Sequence, residues 1–290
     1  MSNLFNIEKT RFFVTGGSGS LGRNIIKNLL KKGAKNIISI SRDESLIKQA
    51  EIEIGKSPVE FKLGDITDTR LVSLLMQETD VVFHTAAIKH VSLAERNPRE
   101  THRINVVGLL NLLDNSHSVK RFIHVSSDKA IGVVNCYGAT KLLGEYLVRE
   151  SNEIYKNGKY LIIRCPNILG SRGSVLDIWQ QQVVKDKSIS ITDPDMTRYF
   201  ITPEDAAQFI VEVGLKDNID RDKIYYPLEF THKFLLKELA EAFVELSGND
   251  KVSIKVTGAM SGEKQHEDYI EDVKLTSLDE LKKILLELSI

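Results

Sequence analysis

The segment that most constrains this chain is Thr15-Gly16-Gly17-Ser18-Gly19-Ser20-Leu21-Gly22. It follows an apolar run at 12–15 and opens a stretch with helical periodicity at 19–32. Glycines at 16, 19 and 22 form G-x-x-G-x-x-G, which lets a strand turn tightly into a helix whose N-terminus faces a pyrophosphate. Glycine there permits the turn, close backbone approach to phosphate, and packing of helix on strand. The plain alternative is a glycine-rich turn with no ligand, and the strand–turn–helix context weighs against it. The loop therefore predicts a dinucleotide held by Thr15, Gly16, Gly19, Ser20, Leu21 and Gly22.

The chain beyond the loop agrees with it. Short apolar runs at 36–41, 59–63, 81–85, 121–126 and 160–164 alternate with amphipathic stretches at 44–54, 69–77, 99–116 and 137–156. That alternation predicts an α/β, Rossmann-type doubly wound parallel sheet, with ligand outside the carboxyl ends of its strands. After 164 the rhythm breaks: 166–198 reads as turn-rich, and helical stretches come later at 203–215, 233–247 and 277–288. We expect a nucleotide-binding core over 1–165 and a smaller substrate-binding lobe over 166–290, some of whose segments return to the core.

Charge excludes other classes. With 39 basic and 40 acidic residues, the chain has no general attraction for nucleic acid or an anionic membrane. A bound anion must be met by a local site. Two cysteines without C-x-x-C, and seven histidines without H-E-x-x-H, give no metal-binding pattern. No apolar run is long enough to span a bilayer, and residues 1–11 lack the apolar core of a signal peptide. A cytoplasmic protein is expected.

The second apolar run ends in Ser41-Arg42-Asp43. An acid at this strand tip suits the ribose of NAD, whereas Arg42 beside Ser41 suits the 2′-phosphate of NADP. NADP is favoured, with NAD the alternative if Asp43 or Glu44 takes the ribose. Asp65 and Ile66 come after the third run and are expected beside the adenine, unless Asp65 merely caps the next helix. Tyr137 and Lys141 form Y-x-x-x-K, one helical turn apart on the same face. A lysine ammonium near the phenol lowers its pKa, so tyrosinate accepts a proton from a sugar hydroxyl.

At these residues the chain resembles the extended short-chain dehydrogenase/reductase family. Within that family it is similar to the branch of inverting UDP-N-acetylglucosamine 4,6-dehydratases and their polysaccharide-biosynthesis relatives. The resemblance runs through 85–91, 95–100, 105–108, Ser126-Ser127-Asp128-Lys129, 137–141, 167–175, Met196-Thr197-Arg198 and Gly262-Glu263-Lys264, in order over nearly the whole chain. It implies that Ala86, Ala87, Lys89, Tyr137 and Lys141 also line the cofactor. A UDP-sugar is the implied substrate, bound by Lys89, Asn167, Arg172, Ser174, Val175, Arg198 and Glu263, and the implied assembly is a homo-oligomer.

Within this resemblance Asp128 and Lys129 select the chemistry. A 4-epimerase needs only oxidation at C4 and re-reduction. A dehydratase also needs a base for the C5 proton and an acid for the departing C6 hydroxyl. Glucose-type dehydratases carry Asp-Glu here and this branch carries Asp-Lys, which implies Lys129 as the C5 base and Asp128 as the C6 acid. Ser127 stands at the usual threonine and keeps the hydroxyl that bonds the C4 oxygen. Lys129 must be neutral to act, which calls for burial and for Lys141 or Lys89 to lower its pKa. One departure is Met260-Ser261 where the branch carries Arg-Pro, so one expected diphosphate contact is missing. The expected function is a UDP-N-acetylglucosamine 4,6-dehydratase with C5 inversion, in pseudaminic-type or surface polysaccharide synthesis. The alternatives are a UDP-sugar 4-epimerase, an enzyme making or using a 5,6-alkene sugar, and a non-catalytic NADP-sensing regulator.

Overall fold

The computed structural model describes residues 5–248, 251–259, 262–269 and 273–288. Met260 and Ser261 lie outside the described residues.

Six strands match the expected runs: β1 (Arg11–Thr15), β2 (Asn36–Ser41), β3 (Val59–Leu63), β4 (Val81–His84), β5 (Arg121–Ser127) and β6 (Lys159–Cys165). The later ones are β7 (Asn167–Ile168), β8 (Ser188–Ile191), β9 (Thr197–Ile201), β10 (Ile224–Tyr225), β11 (His232–Leu235) and β12 (Ser253–Val256). Seven strands form one sheet in the order β10-β6-β5-β4-β1-β2-β3, every pair parallel. The order reverses between β1 and β4, and the carboxyl ends diverge there into a crevice.

The helices of the first half are α1 (Ser20–Lys31), α2 (Glu44–Ile54), α3 (Thr69–Met76), α4 (Val91–Arg96), α5 (Pro98–His102), α6 (Gly108–Asp114) and α7 (Cys136–Ile154). Each sheet face carries its own core. Ile25, Ile26 and Leu29 of α1 pack with Phe12, Val14 and Ile123 on one side. Leu109, Leu112 and Val148 meet Phe13, Val82 and Phe122 on the other. β4 and β5 are buried at every position, as strands covered on both faces are, which is why their apolar residues do not alternate with exposed ones.

The second half holds α8 (Val175–Asp186), α9 (Pro203–Leu215), α10 (Leu236–Leu246) and α11 (Leu278–Glu287). Trp179, Phe234, Phe243 and Leu285 centre a third core there. Residues of α9 join the core around α1, and β10 extends the main sheet beside β6. Among the described residues no helix is long and apolar enough to cross a membrane.

Three local expectations are corrected. The stretch 166–198 contains α8, whose Leu176 and Trp179 are fully buried, so turn formers at its start masked a helix. The helix expected from 233 begins at Leu236, because His232–Leu235 pairs antiparallel with β9. The helix expected over 99–116 is interrupted by a π-helical turn at Arg103–Val107.

His84 and His124 stack side by side on β4 and β5, ring centroids 5.3 Å apart, and both are buried. His84 Nδ1 bonds the Thr15 hydroxyl at 2.8 Å, whereas among the described residues neither nitrogen of His124 has a partner. Burial, with the Lys141 charge, pushes His84 down to about 3 and His124 well below its ordinary value. The folded state thus binds fewer protons than the unfolded chain from about pH 6.5 downward, and stability falls as pH drops through that window. Each such histidine contributes a slope of about 1.4 kcal/mol per pH unit. His124→Leu is therefore expected to flatten the loss of unfolding free energy between pH 6 and 5 by about that amount, measured by urea titration. Equal slopes in the two proteins would mean that His124 titrates normally in the fold.

Candidate active site

Outside the carboxyl ends of the strands lies a cleft of about 930 Å³, lined by the glycine loop, the β2 tip, Ala86–His90, Ser127, Tyr137, Lys141, Cys165 and Arg172. Gly16 adopts φ +72°, and a Cβ at Gly22 would lie 2.4 Å from the Gly16 carbonyl oxygen. The loop therefore tolerates no side chain at its tightest point. Helix α1 starts with no side-chain cap, leaving its first-turn N–H groups facing the cleft. This open cradle, uncapped helix end and long cleft fit a dinucleotide.

Around the cradle the expected residues take different parts. Gly16, Gly19, Ser20, Leu21, Gly22, Ser41, Arg42, Ile66, Ala86 and Ala87 line the cleft. Thr15 is wholly buried behind it, its hydroxyl accepting from the N–H groups of Thr85 and Ala86 at 3.2 and 3.3 Å. Ser18, unmarked by sequence reasoning, lines the cleft and bonds Ser41 hydroxyl to hydroxyl at 2.5 Å. Asp65 does not cap α3, a task that falls to Asp68. Its carboxylate accepts from Thr67 N–H at 2.9 Å and from Arg103 at 3.2 Å. Arg42 is half exposed and lies 3.8 Å from Asp65 and 3.6 Å from Glu100.

Tyr137 and Lys141 sit on the buried face of α7, which Asn135 caps by accepting from Gly138 N–H at 2.7 Å. Burial pushes the Tyr137 phenol up to about 12, against its hydrogen bond with Ser127 and the Lys129 charge, which act the other way. Lys141 does not supply the expected charge to the phenol. Its Nζ donates to the Val125 carbonyl at 2.7 Å, and burial lowers it to about 8.

Asp128 and Lys129 continue from β5 as a 3₁₀ turn, Asp128 almost fully buried. Lys129 Nζ donates to Asp128 Oδ1 at 3.1 Å and to Asn167 Oδ1 at 3.0 Å, with Glu267 Oε1 at 3.5 Å. Ser127 donates to Asp128 at 2.7 Å. Burial alone would lower the Lys129 pKa as expected. The Asp128 and Glu267 carboxylates outweigh it, and the net displacement is upward. Lys129 thus rests as an ammonium.

The residues expected on the substrate side divide. Asn167 lies within the Asp128–Lys129 cluster, its amide donating to the Tyr199 carbonyl at 2.9 Å. Arg198 donates to the carbonyls of Thr197, Gln265 and Lys264, fastening the segment that holds Glu263. Arg172 lies on the dinucleotide side: its N–H donates to Ser20 Oγ at 3.1 Å and its guanidinium lies 3.6 Å from Asp43. Lys89 ties that loop down, donating to Ser171 Oγ at 3.1 Å and the Arg172 carbonyl at 2.9 Å. Ser174 precedes α8 with its hydroxyl unpartnered among the described residues, and Val175 packs on the third core. Sequence reasoning missed Glu267, because an isolated glutamate carries no signal of burial.

A glycine cradle opening a doubly wound sheet, with Tyr137 and Lys141 on the helix beside the fifth strand, defines an extended short-chain dehydrogenase/reductase. The chain belongs to the polysaccharide biosynthesis protein family, which it matches over residues 12–288, and is an enzyme of the dehydratase and epimerase kind. A Campylobacter jejuni protein named UDP-N-acetylglucosamine 4,6-dehydratase (inverting) is 36% identical over 92% of this chain and 78% of its own. A Methanocaldococcus jannaschii protein named as an uncharacterized membrane protein is 33% identical over 99% and 87%. A Rickettsia felis UDP-glucose 4-epimerase is 29% identical over 95% and 81%. Among solved structures, Pen from Bacillus thuringiensis superposes with a TM-score of 0.91 at 25% identity, covering 98% of this chain and 99% of that one.

Proposed function

We propose that this chain is an NADP-dependent UDP-N-acetylglucosamine 4,6-dehydratase that inverts C5, acting in the cytoplasm as a homo-oligomer in the synthesis of surface or pseudaminic-type sugars. The observation that carries this reading is the Asp128–Lys129 pair directly after β5, its carboxylate buried and its amine mostly so, next to Tyr137. The dehydratase name of the Campylobacter relative supports it. The epimerase name of the Rickettsia relative favours a 4-epimerase instead, but that reaction leaves the buried pair without a chemical task.

A bound nicotinamide dinucleotide would supply reversible two-electron oxidation at the sugar C4. Tyr137 Oη, once its own proton has passed to solvent, takes the C4 hydroxyl proton, with Ser127 Oγ hydrogen-bonded to it. The resulting C4 carbonyl acidifies the C5 hydrogen, so an amine is a sufficient base. A proton passing from Lys129 to Asp128 across their 3.1 Å contact leaves a neutral amine and a carboxylic acid. Lys129 Nζ then accepts the C5 proton, and Asp128 delivers its own to the C6 hydroxyl, which departs as water. Return of the C4 hydride to C6 and of a solvent-derived proton to the opposite face of C5 would complete a product lighter by one water. Arg42 at the β2 tip is the group we assign to the NADP 2′-phosphate, with NAD the alternative.

Gly22→Val puts a branched side chain where even a Cβ meets the Gly16 carbonyl at 2.4 Å. Loss of both NADP and NAD binding in calorimetry is expected, with NADP the tighter ligand of the native protein. Unchanged affinity would remove the loop from the cofactor site. The proposal as a whole is tested by incubating cofactor-loaded protein with UDP-N-acetylglucosamine. A keto-sugar product lighter by one water is expected, and an isomer of unchanged mass would establish an epimerase.

A further inference from the structure

Lys129 Nζ is met from three parts of the chain: Asp128 on its own turn, Asn167 on β7, and Glu267 in the segment after Gly262. An ammonium has three N–H donors and no acceptor. Here those donors face two carboxylates and one amide oxygen. Glu267 is itself 7% exposed, and this ion pair gives its burial a reason. The remaining charged or titratable groups acting on Lys129 are Tyr137 on α7 and Arg198 on β9. Arg198 in turn bonds the carbonyls of Lys264 and Gln265, so it anchors the stretch of chain that carries Glu267.

We propose that Glu267 is a positioning residue that holds the Lys129 amine beside Asp128 and governs how readily it gives up its proton and accepts the one from C5. The inference rests on the dehydratase reading and deepens it. A base that must become neutral works against every carboxylate around it, and Asp128 is needed as the acid. Glu267 has no such task. It keeps the ammonium in place until the proton moves to Asp128, and it compensates the charge that returns when Lys129 takes the C5 proton.

The test compares the native chain, Glu267→Gln and Glu267→Asp by solvent-deuterium exchange at C5 against pH, with cofactor binding measured alongside. Exchange needs the pair to carry a single proton that can rest on Asp128, so its rate rises with pH through an acid limb as the doubly protonated Asp128–Lys129 pair loses one. Glu267→Gln removes a negative charge 3.5 Å from Nζ and is expected to move that limb down by about one pH unit or more. Glu267→Asp keeps the charge and the limb. A limb unmoved in Glu267→Gln, beside normal exchange in the native chain, overturns the inference. Absence of exchange in the native chain overturns the dehydratase reading instead. A stability cycle decides the pairing even where a single variant fails to fold. Glu267→Gln is expected to lower Tm in the native background and raise it in Lys129→Met, where two buried carboxylates otherwise face each other without a cation. Changes of the same sign in both backgrounds overturn the inference.

Discussion

Lys129→Ala is expected to lower water loss from the substrate by about three to four decades, at the upper end of what a general acid–base group contributes. The variant loses the base for C5 and, with it, the amine that passes a proton to Asp128. Lys129→Arg is expected to fail equally, since a guanidinium does not deprotonate in proteins. Cofactor affinity stays native, because Lys129 lies outside the dinucleotide cleft. Stability suffers separately: Asp128 and Glu267 are both buried, and stripping a buried ion pair of one partner typically costs about 3–5 kcal/mol. Mass spectrometry of the product at matched cofactor occupancy separates the two effects. Near-native water loss in either variant would hand the C5 proton to another group.

Tyr137→Phe removes one oxygen and almost no volume from a buried side chain on the cleft wall. The native phenol is pushed up to about 12 by burial, so it rests protonated at neutral pH and becomes a base only as its proton is drawn away. The Ser127 hydrogen bond and the Lys129 charge favour that ionisation. We expect turnover to fall by about two to four decades with dinucleotide affinity unchanged. Native turnover is expected to rise with pH from the acid side, since Tyr137 must lose its proton and the Asp128–Lys129 pair must hold one proton rather than two. A phenylalanine variant with near-native turnover would mean that another group takes the C4 proton.

The parts of this site that are readable from sequence are those whose chemistry is written in local spacing. The glycines at 16, 19 and 22 and the pair Tyr137–Lys141 each span only a few residues, and strand–helix alternation puts them at the crevice. Contacts between distant segments escape such a reading. Glu267 meets Lys129 from the far end of the chain, and Asn167 reaches the same amine through a two-residue strand with no periodicity to read. Charge environment is hidden for the same reason: sequence points to neighbouring lysines that depress Lys129, and the neighbours that count are carboxylates. Spacing also aims Lys141 at the phenol, but the backbone carbonyl of Val125 claims it, an acceptor that no sequence pattern displays. Helix α8 is masked because Gly170, Gly173 and the serines before it read as turns, and its buried Trp179 answers to a core assembled from later segments.

Turnover of UDP-N-acetylglucosamine by the native protein in deuterated water, read by NMR and mass, asks most directly whether Lys129 and Asp128 carry out elimination across C5 and C6. One solvent deuteron is expected at C5 in a product that has lost one water, with both changes vanishing together in Lys129→Ala. A product of unchanged mass carrying protium at C5, formed equally well by Lys129→Ala, would contradict elimination by this pair.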